Sequence, residues 1–286
     1  MESIKKTNIS NALRTYVERY ESQNRAAQSL KNVSAATVSQ ILNAQWDLIS
    51  DEMWRNIASQ VGYREERWEA AETANYRALM TILADAKANS LTLGITGNAG
   101  SGKTFACRQF TAGNKNVYHL ICNEYWGNKL FLSELLMLIG RDSSGMSISE
   151  MINETVRVLK VQELPLIIID EADKLKDSVL HLFISLYNKL EDECGIVLIA
   201  TNHLEKRLTH GVKLNRRGYN EIWSRLGRKC VQLKGISAAD IVAVCELNGV
   251  SERRDIDAII TDSESDLRRV KRKVHAIVKS QETKSR

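Results

Sequence analysis

The sequence predicts an α/β fold: a parallel sheet covered by helices, with a C-terminal helical lid and a small all-α domain ahead of it. Three observations carry this. Five short apolar, β-rich stretches alternate with helical ones between residues 91 and 233, the pattern of strands buried on both faces. A glycine-rich turn, GNAGSGKT at 97–104, joins the first of these stretches to a helical run. Ahead of both lies a group of short amphipathic segments with helix-capping residues between them.

Taken in order, Ile9, Leu13, Tyr16, Val17 and Tyr20 recur at helical spacing and predict a helix over about 8–21. A short helix follows around 24–30 and breaks at Lys31-Asn32-Val33. Ser34 is placed to cap a third helix by accepting a bond from an orphan backbone N–H. In that helix Val38, Ile41 and Leu42 face inward, while Thr37, Ser39 and Gln40 face out. Ser50-Asp51 opens a fourth helix whose apolar stripe is Met53, Trp54, Ile57 and Val61, closed by Gly62. These helices define a domain over 1–62, followed by a charged linker over 63–75. A helix over about 74–87 leads into the sheet. Strands are expected at 91–96, 117–121, 166–170, 196–201 and 230–233, completing an α/β domain over 76–235. The single proline, Pro165, stands just before the third strand, where a missing N–H costs little. From Ser237 onward only helical signals remain, which gives a lid with a basic tail over 236–286.

Bulk properties narrow the setting. The net charge of +5 lies entirely in the segment from Glu264 to Arg286, with eight Lys/Arg against three Asp/Glu. A basic tail of this kind favours polyanions such as nucleic acid. Five scattered cysteines form no Cys-x-x-Cys pair, so neither a zinc site nor a disulfide framework is indicated, and a reducing cytoplasm is expected. No apolar run approaches the roughly 20 residues of a membrane span. The first residues, MESIKKTNIS, lack the apolar stretch of a signal peptide. No membrane partner is expected.

The chemistry begins at the glycine-rich turn. Gly97, Asn98, Ala99, Gly100, Ser101, Gly102, Lys103 and Thr104 have Walker A spacing. The glycines let successive backbone N–H groups point at phosphates, and the following helix adds the positive end of its dipole. Lys103 is expected to reach the β- and γ-phosphates of ATP, and Thr104 to ligate Mg²⁺. The stretch LIIIDEAD at 166–173 ends a buried strand in Asp170-Glu171. Asp170 is the expected second Mg²⁺ ligand, and Glu171 the group that polarises water for attack on the γ-phosphate. IVLIATN at 196–202 delivers Thr201 and Asn202 beside that strand end, with Asn202 placed to sense the γ-phosphate.

Walker A, a DE-type Walker B, a polar residue after the next strand and an arginine-bearing segment before a helical lid together resemble AAA+ ATPases over about residues 75–285. The resemblance implies a finger arginine that reaches the γ-phosphate held by a neighbouring subunit. EIWSRLGRK supplies Arg225 for that role, with Arg228 as the other candidate. SESDLRRV places Arg268 at the family's second sensor position, although the glycine usual just before DLR is absent.

The first domain adds a second resemblance. RAAQSLKNVSAATVSQILNAQW is similar to a phage-repressor helix-turn-helix. Its outward residues Ser34, Thr37, Ser39 and Gln40 are small or amide-bearing, as an approach to phosphates and base edges requires. Such a domain followed by a compact AAA+ module resembles the phage Mu B transposition protein family. That resemblance implies ATP-dependent polymerisation of the chain on double-stranded DNA as a helical filament, and delivery of the DNA to a DDE transposase that it stimulates, in the cytoplasm of a bacterial host. By analogy with filament-forming relatives, Trp126, Asn128 and Lys129 in NEYWGNK are expected to touch DNA. Two other functions share the motif set: a replication-initiator or helicase-loader ATPase, and a transcription regulator gated by nucleotide.

Overall fold

The computed structural model describes residues 3–20, 22–63 and 68–284. It divides into two compact units, Met1–Trp68 and Glu69–Arg286.

Among the described residues the first unit holds four helices: α1 (Ser3–Val17), α2 (Gln23–Ser29), α3 (Ala35–Leu42) and α4 (Asp51–Gln60). Ser22, Ser34 and Ser50 each accept a hydrogen bond from the backbone N–H three residues on, so every helix after the first starts on a serine cap. The apolar faces meet around Ile9, Leu13, Val38, Ile41, Trp54 and Ile57, all fully buried. Leu42, expected inward, is only half-buried. The turn between α2 and α3 is fixed from α4, because the Gln60 amide accepts from the Lys31 N–H (2.6 Å) and donates to the Lys31 carbonyl (2.9 Å). The end of α3 is held in the same way, with Ser10 Oγ and Trp46 Nε1 both donating to the Ile41 carbonyl. α1 ends at Val17, four residues earlier than its periodicity predicts. Tyr20 then leaves the helix and shares a hydrogen bond with Tyr16 instead.

The second unit opens with α5 (Ala74–Ala88), β1 (Thr92–Thr96), α6 (Lys103–Gly113), β2 (Val117–Ile121), α7 (Asn128–Leu138), α8 (Ile148–Lys160) and β3 (Leu166–Asp170). A single 3₁₀ turn (Ala172–Lys174) follows, then α9 (Asp177–Leu190), β4 (Gly195–Ala200), α10 (His203–Lys213), α11 (Tyr219–Arg225) and β5 (Cys230–Gln232). α12 (Ala238–Leu247), α13 (Arg253–Ser263) and α14 (Leu267–Lys284) form the lid.

The five strands are parallel in the order β2-β3-β4-β1-β5. β4 therefore stands between the strand that feeds the phosphate loop and the strand that ends in Asp170. Successive side chains alternate between two cores. Leu166, Ile168, Val197 and Ile199 pack with α5 and α6, whereas Ile167, Ile169, Ile196 and Leu198 pack with α7 to α11. This double burial is why the strands read as continuous apolar runs.

The stretch expected to be a linker differs in part. Residues 64–67 lie outside the described residues, but 69–73 belong to the second unit. Glu69 exchanges two hydrogen bonds with the Asn248 side chain, and Thr73 caps α5. Asp240, in a capping box with Ser237, also accepts from the Ala74 N–H (2.8 Å). These bonds satisfy backbone groups that a free linker would leave to water. All five cysteines are free and buried. No helix among the described residues is long and apolar enough to cross a membrane.

Gly195, at the start of β4, has no room for a side chain: an added Cβ would lie 2.5 Å from the Ala86 carbonyl oxygen. Gly195→Ala is expected to destabilise the second unit by about 1–3 kcal/mol through overpacking against backbone, read as a lower urea midpoint with an unchanged slope.

Candidate nucleotide-binding site

The loop between β1 and α6 is shaped by two left-handed glycines, Gly100 (φ +72°) and Gly102 (φ +87°), a conformation that side chains resist. The Gly97 N–H is anchored to the Ala200 carbonyl at the end of β4 (3.2 Å). Lys103 folds over the loop and donates to the carbonyls of Gly97 (2.8 Å) and Asn98 (2.7 Å) and to Ser101 Oγ (3.4 Å). Burial pushes its ammonium below the ordinary lysine range; the charges of Asp170 and Asp173 oppose that shift, and nearby Arg268 adds to it. Asn98 and Ala99 are exposed and Ser101 is buried. A lysine in the first turn of a helix that follows a loop of left-handed glycines suits phosphate binding.

Asp170 is 1% exposed at the end of β3. Burial works against its charge. Hydrogen bonds from His119, Thr104 and the Glu171 N–H more than offset this and hold the carboxyl below its usual range. The carboxylate thus stays ionised beside the Thr104 hydroxyl, and this oxygen pair suits a hard cation such as Mg²⁺. Cys107 shares the cluster, its sulfur within 4.8 Å of the His119 and Asp170 donor atoms. Burial, reinforced by the charge of Asp170, pushes its thiol well up. It is a neutral neighbour and no ready ligand.

Glu171 adopts a left-handed conformation (φ +56°), which turns its side chain out of the strand line and into an ion pair with Lys174. Thr201 Oγ1 donates to Asp173 Oδ2 (2.5 Å), tying the end of β4 to the turn after β3. Asn202 begins α10 without capping it, and its side-chain oxygen is buried with no hydrogen-bond partner. Thr96 Oγ1, at the end of β1, is likewise buried and without a hydrogen-bond partner.

The lid meets the loop directly. The Leu267 N–H donates to the Gly100 carbonyl (3.0 Å), and Asp266 lies so close that a Cβ on Gly100 would fall 2.1 Å from its Oδ1. Asp266 also accepts from the Arg268 N–H (2.7 Å), which leaves the exposed Arg268 at the mouth of the loop.

Residues 86–208 match the AAA domain family. Over 260 residues the chain is 22% identical to the ATP-dependent target DNA activator B of Escherichia phage Mu, covering 88% of this chain and 81% of that protein. The protein of the same description from Escherichia phage D108 is 23% identical over 256 residues, covering 86% and 80%. The chain carries an AAA domain and resembles the Mu B family. Looser likenesses include a structure of Drosophila ORC bound to DNA (TM-score 0.46, 15% identity, 69% of this chain). NtrX from Brucella abortus in complex with ATP is another (TM-score 0.46, 12% identity, 86% of this chain). The chain spans 53% and 59% of those two proteins' lengths, and the scores are too low to carry an assignment.

The AAA domain brings Lys103, Thr104, Asp170, Glu171 and Asn202 to one end of the sheet, and the lid adds Arg268 through its contact with Gly100. Other expected site residues lie elsewhere or are differently engaged. Trp126, expected to touch DNA, is 5% exposed and packs edge-on against Phe131 in the main core. The turn after β2 folds back on itself, with the Trp126 N–H bonded to the Asn123 carbonyl, and drives the indole inward. Asn128 turns its side-chain oxygen inward too, leaving it buried and unpaired. Lys129 is exposed as expected, and Tyr125 (70% exposed) is the aromatic that faces out.

Arg225, the first choice for the finger, is tied within its own subunit. It donates to Asn188 Oδ1 (2.7 and 3.2 Å) and the Glu221 carbonyl, and stacks over Tyr187. Arg228, three residues on in a left-handed turn, is exposed. In the first unit, Ser34 and Thr37 hydrogen-bond to each other while capping α3, and Ser39 accepts from Asn43. Gln40 is half-buried on the same helix. Sequence reasoning missed His119, Asp173 and Asp266, whose roles depend on strand order and lid placement and leave no local pattern.

Gly100→Ala is expected to cost about 1–3 kcal/mol, from the left-handed backbone and the clash with Asp266. Pairing it with Asp266→Ser, which shortens the side chain and keeps a cap, should recover part of that loss. A double-mutant cycle on thermal melts measures the coupling.

Proposed function

We propose that the protein is an ATP-dependent DNA-binding ATPase that polymerises on target DNA, delivers it to a DDE transposase and stimulates transposition. The observation that carries this reading is the convergence of Lys103, the Thr104–Asp170 pair and the unpaired Asn202 oxygen on one phosphate loop, in a chain similar to Mu B over most of its length. The relatives' description as ATP-dependent target DNA activators supplies the substrate and the setting.

In this scheme the loop N–H groups and Lys103 bind the phosphates of ATP, and Thr104 and Asp170 hold Mg²⁺. The bound ion supplies neutralisation of phosphate charge. Asn202 orients the attacking water by hydrogen bond, and Glu171 accepts its proton once released from Lys174. Arg268 senses the γ-phosphate from the lid, so the joint between Asp266 and Gly100 couples the loop's state to the lid's position. Arg228, with a free approach from outside, is the better finger for a neighbouring subunit's nucleotide. A finger acting in trans requires head-to-tail contact, and a heterologous interface that does not close on itself makes a filament.

Contact with DNA falls to two places. The serine-capped α3, with Ser34, Thr37, Ser39 and Gln40, follows a turn held from α4, as in a helix-turn-helix. On α14, Lys271, Arg272 and Lys279 are exposed on one side of the helix. Such a cationic strip grips phosphates without reading sequence.

Electron microscopy and filter binding, with DNA and a slowly hydrolysed ATP analogue, test the proposal. Filaments and salt-sensitive binding are expected only with nucleotide, and binding by a monomer regardless of ATP would overturn it. Lys103→Ala is expected to lose nucleotide binding and assembly together. Glu171→Gln should bind ATP, turn over at least about 100-fold more slowly and remain on DNA. Arg228→Ala should lose DNA-stimulated turnover on the order of 10³-fold. Arg225→Ala should keep that turnover within a few-fold and mainly lower the melting temperature, as measured by steady-state phosphate release and calorimetry.

A further inference from the structure

His119 lies in the middle of β2, away from every recognised motif. Its strand partner is Ile168, so it stands diagonally across from Asp170, two residues further along β3 and on the same face. Both side chains point toward α6, because Val117, Leu166 and Ile168 of the same parity pack there. The imidazole is 6% exposed, with Nε2 3.2 Å from Asp170 Oδ2. Asp170 Oδ1 is already taken by the Glu171 N–H (2.8 Å). An ionised carboxylate only accepts, so Nε2 must carry the proton and donate. The two contacts clamp both oxygens of one buried carboxylate and fix the plane in which it meets the Thr104 hydroxyl.

We infer that His119 is a positioning residue for the divalent cation that accompanies the nucleotide: it locks the Asp170 carboxylate in its ligating orientation and does not touch substrate. The inference rests on the reading of this loop as an ATP site, and adds a residue to it. Without the imidazole donor, Oδ2 is buried with one partner fewer, and the carboxylate can rotate away from the orientation that serves the ion. Groups that orient ligating carboxylates are typically worth about 10–100-fold in metal affinity.

The test is binding of a fluorescent ATP analogue to the full chain, in EDTA and across a MgCl₂ titration, for the unmodified protein and three variants. His119→Gln keeps an N–H that reaches Oδ2, His119→Asn is polar but too short, and His119→Leu has no donor. The Asn and Leu variants are expected to match the unmodified protein in EDTA within about twofold. Their half-saturating Mg²⁺ should rise about tenfold or more, and Gln should restore most of the difference. If Leu fails to fold, the contrast between Gln and Asn carries the result. The inference is overturned by an unchanged Mg²⁺ requirement in Asn, by equal losses with and without Mg²⁺, or by Gln performing no better than Asn at equal melting temperature. Should the unmodified protein bind the analogue no better with Mg²⁺ than in EDTA, the reading of the site itself fails and His119's role falls with it. The failures are therefore distinguishable.

Discussion

A single buried negative charge organises the nucleotide end of this molecule. Taking a carboxylate out of water costs several kcal/mol unless donors replace the lost hydration. At Asp170 the donors come from three directions: His119 on β2, Thr104 on α6 and the backbone N–H of Glu171. Satisfying one charge therefore fixes two strands and the helix after the phosphate loop relative to one another. Glu171, whose N–H is one of these donors, is left-handed, and the turn that follows carries Asp173 to Thr201. Satisfying this charge also sets the geometry around the phosphate loop.

Around that centre, neighbouring parts are joined by hydrogen bonds between backbone and side chain. Arg207 is the example in the sheet's helical layer. It donates to the Leu175 carbonyl (2.6 Å), pairs with Asp177 and reaches the Tyr219 hydroxyl, so the turn after β3 is linked to α11. α11 in turn leads into the loop that carries Arg228. On the other side, the Leu267 N–H and Asp266 seat the lid on Gly100. The phosphate loop thus has a direct polar link to the lid.

Much of this was legible in the amino-acid order. β2 and β3 match their expected limits, and β1, β4 and β5 differ by a residue at one or both ends. Strands buried on both faces announce themselves as apolar runs whatever surrounds them. The serine caps of α3 and α4 and the glycine-lysine turn were equally plain, because each is a local backbone requirement written in adjacent residues. Trp126 failed for the opposite reason. Analogy with filament-forming relatives points it at DNA, and only the backward fold of that turn places it in the core. The engagement of Arg225 is equally hidden from the sequence, since its partners Asn188 and Tyr187 lie on α9, far from it in the chain.

By itself, then, the chain's order determined most of the elements and the glycine-rich loop between β1 and α6, and it nominated the residues proposed to hold a nucleotide and its cation. These follow from periodicity, capping and glycine geometry, which act over a few residues. Tertiary structure alone decided that β4 lies between β1 and β3, that His119 shares a face with Asp170, that Asp266 rests on Gly100, and which of two arginines is exposed. Those facts depend on side-chain parity across a sheet whose strand order no local pattern encodes, and on contacts between residues as much as 166 positions apart.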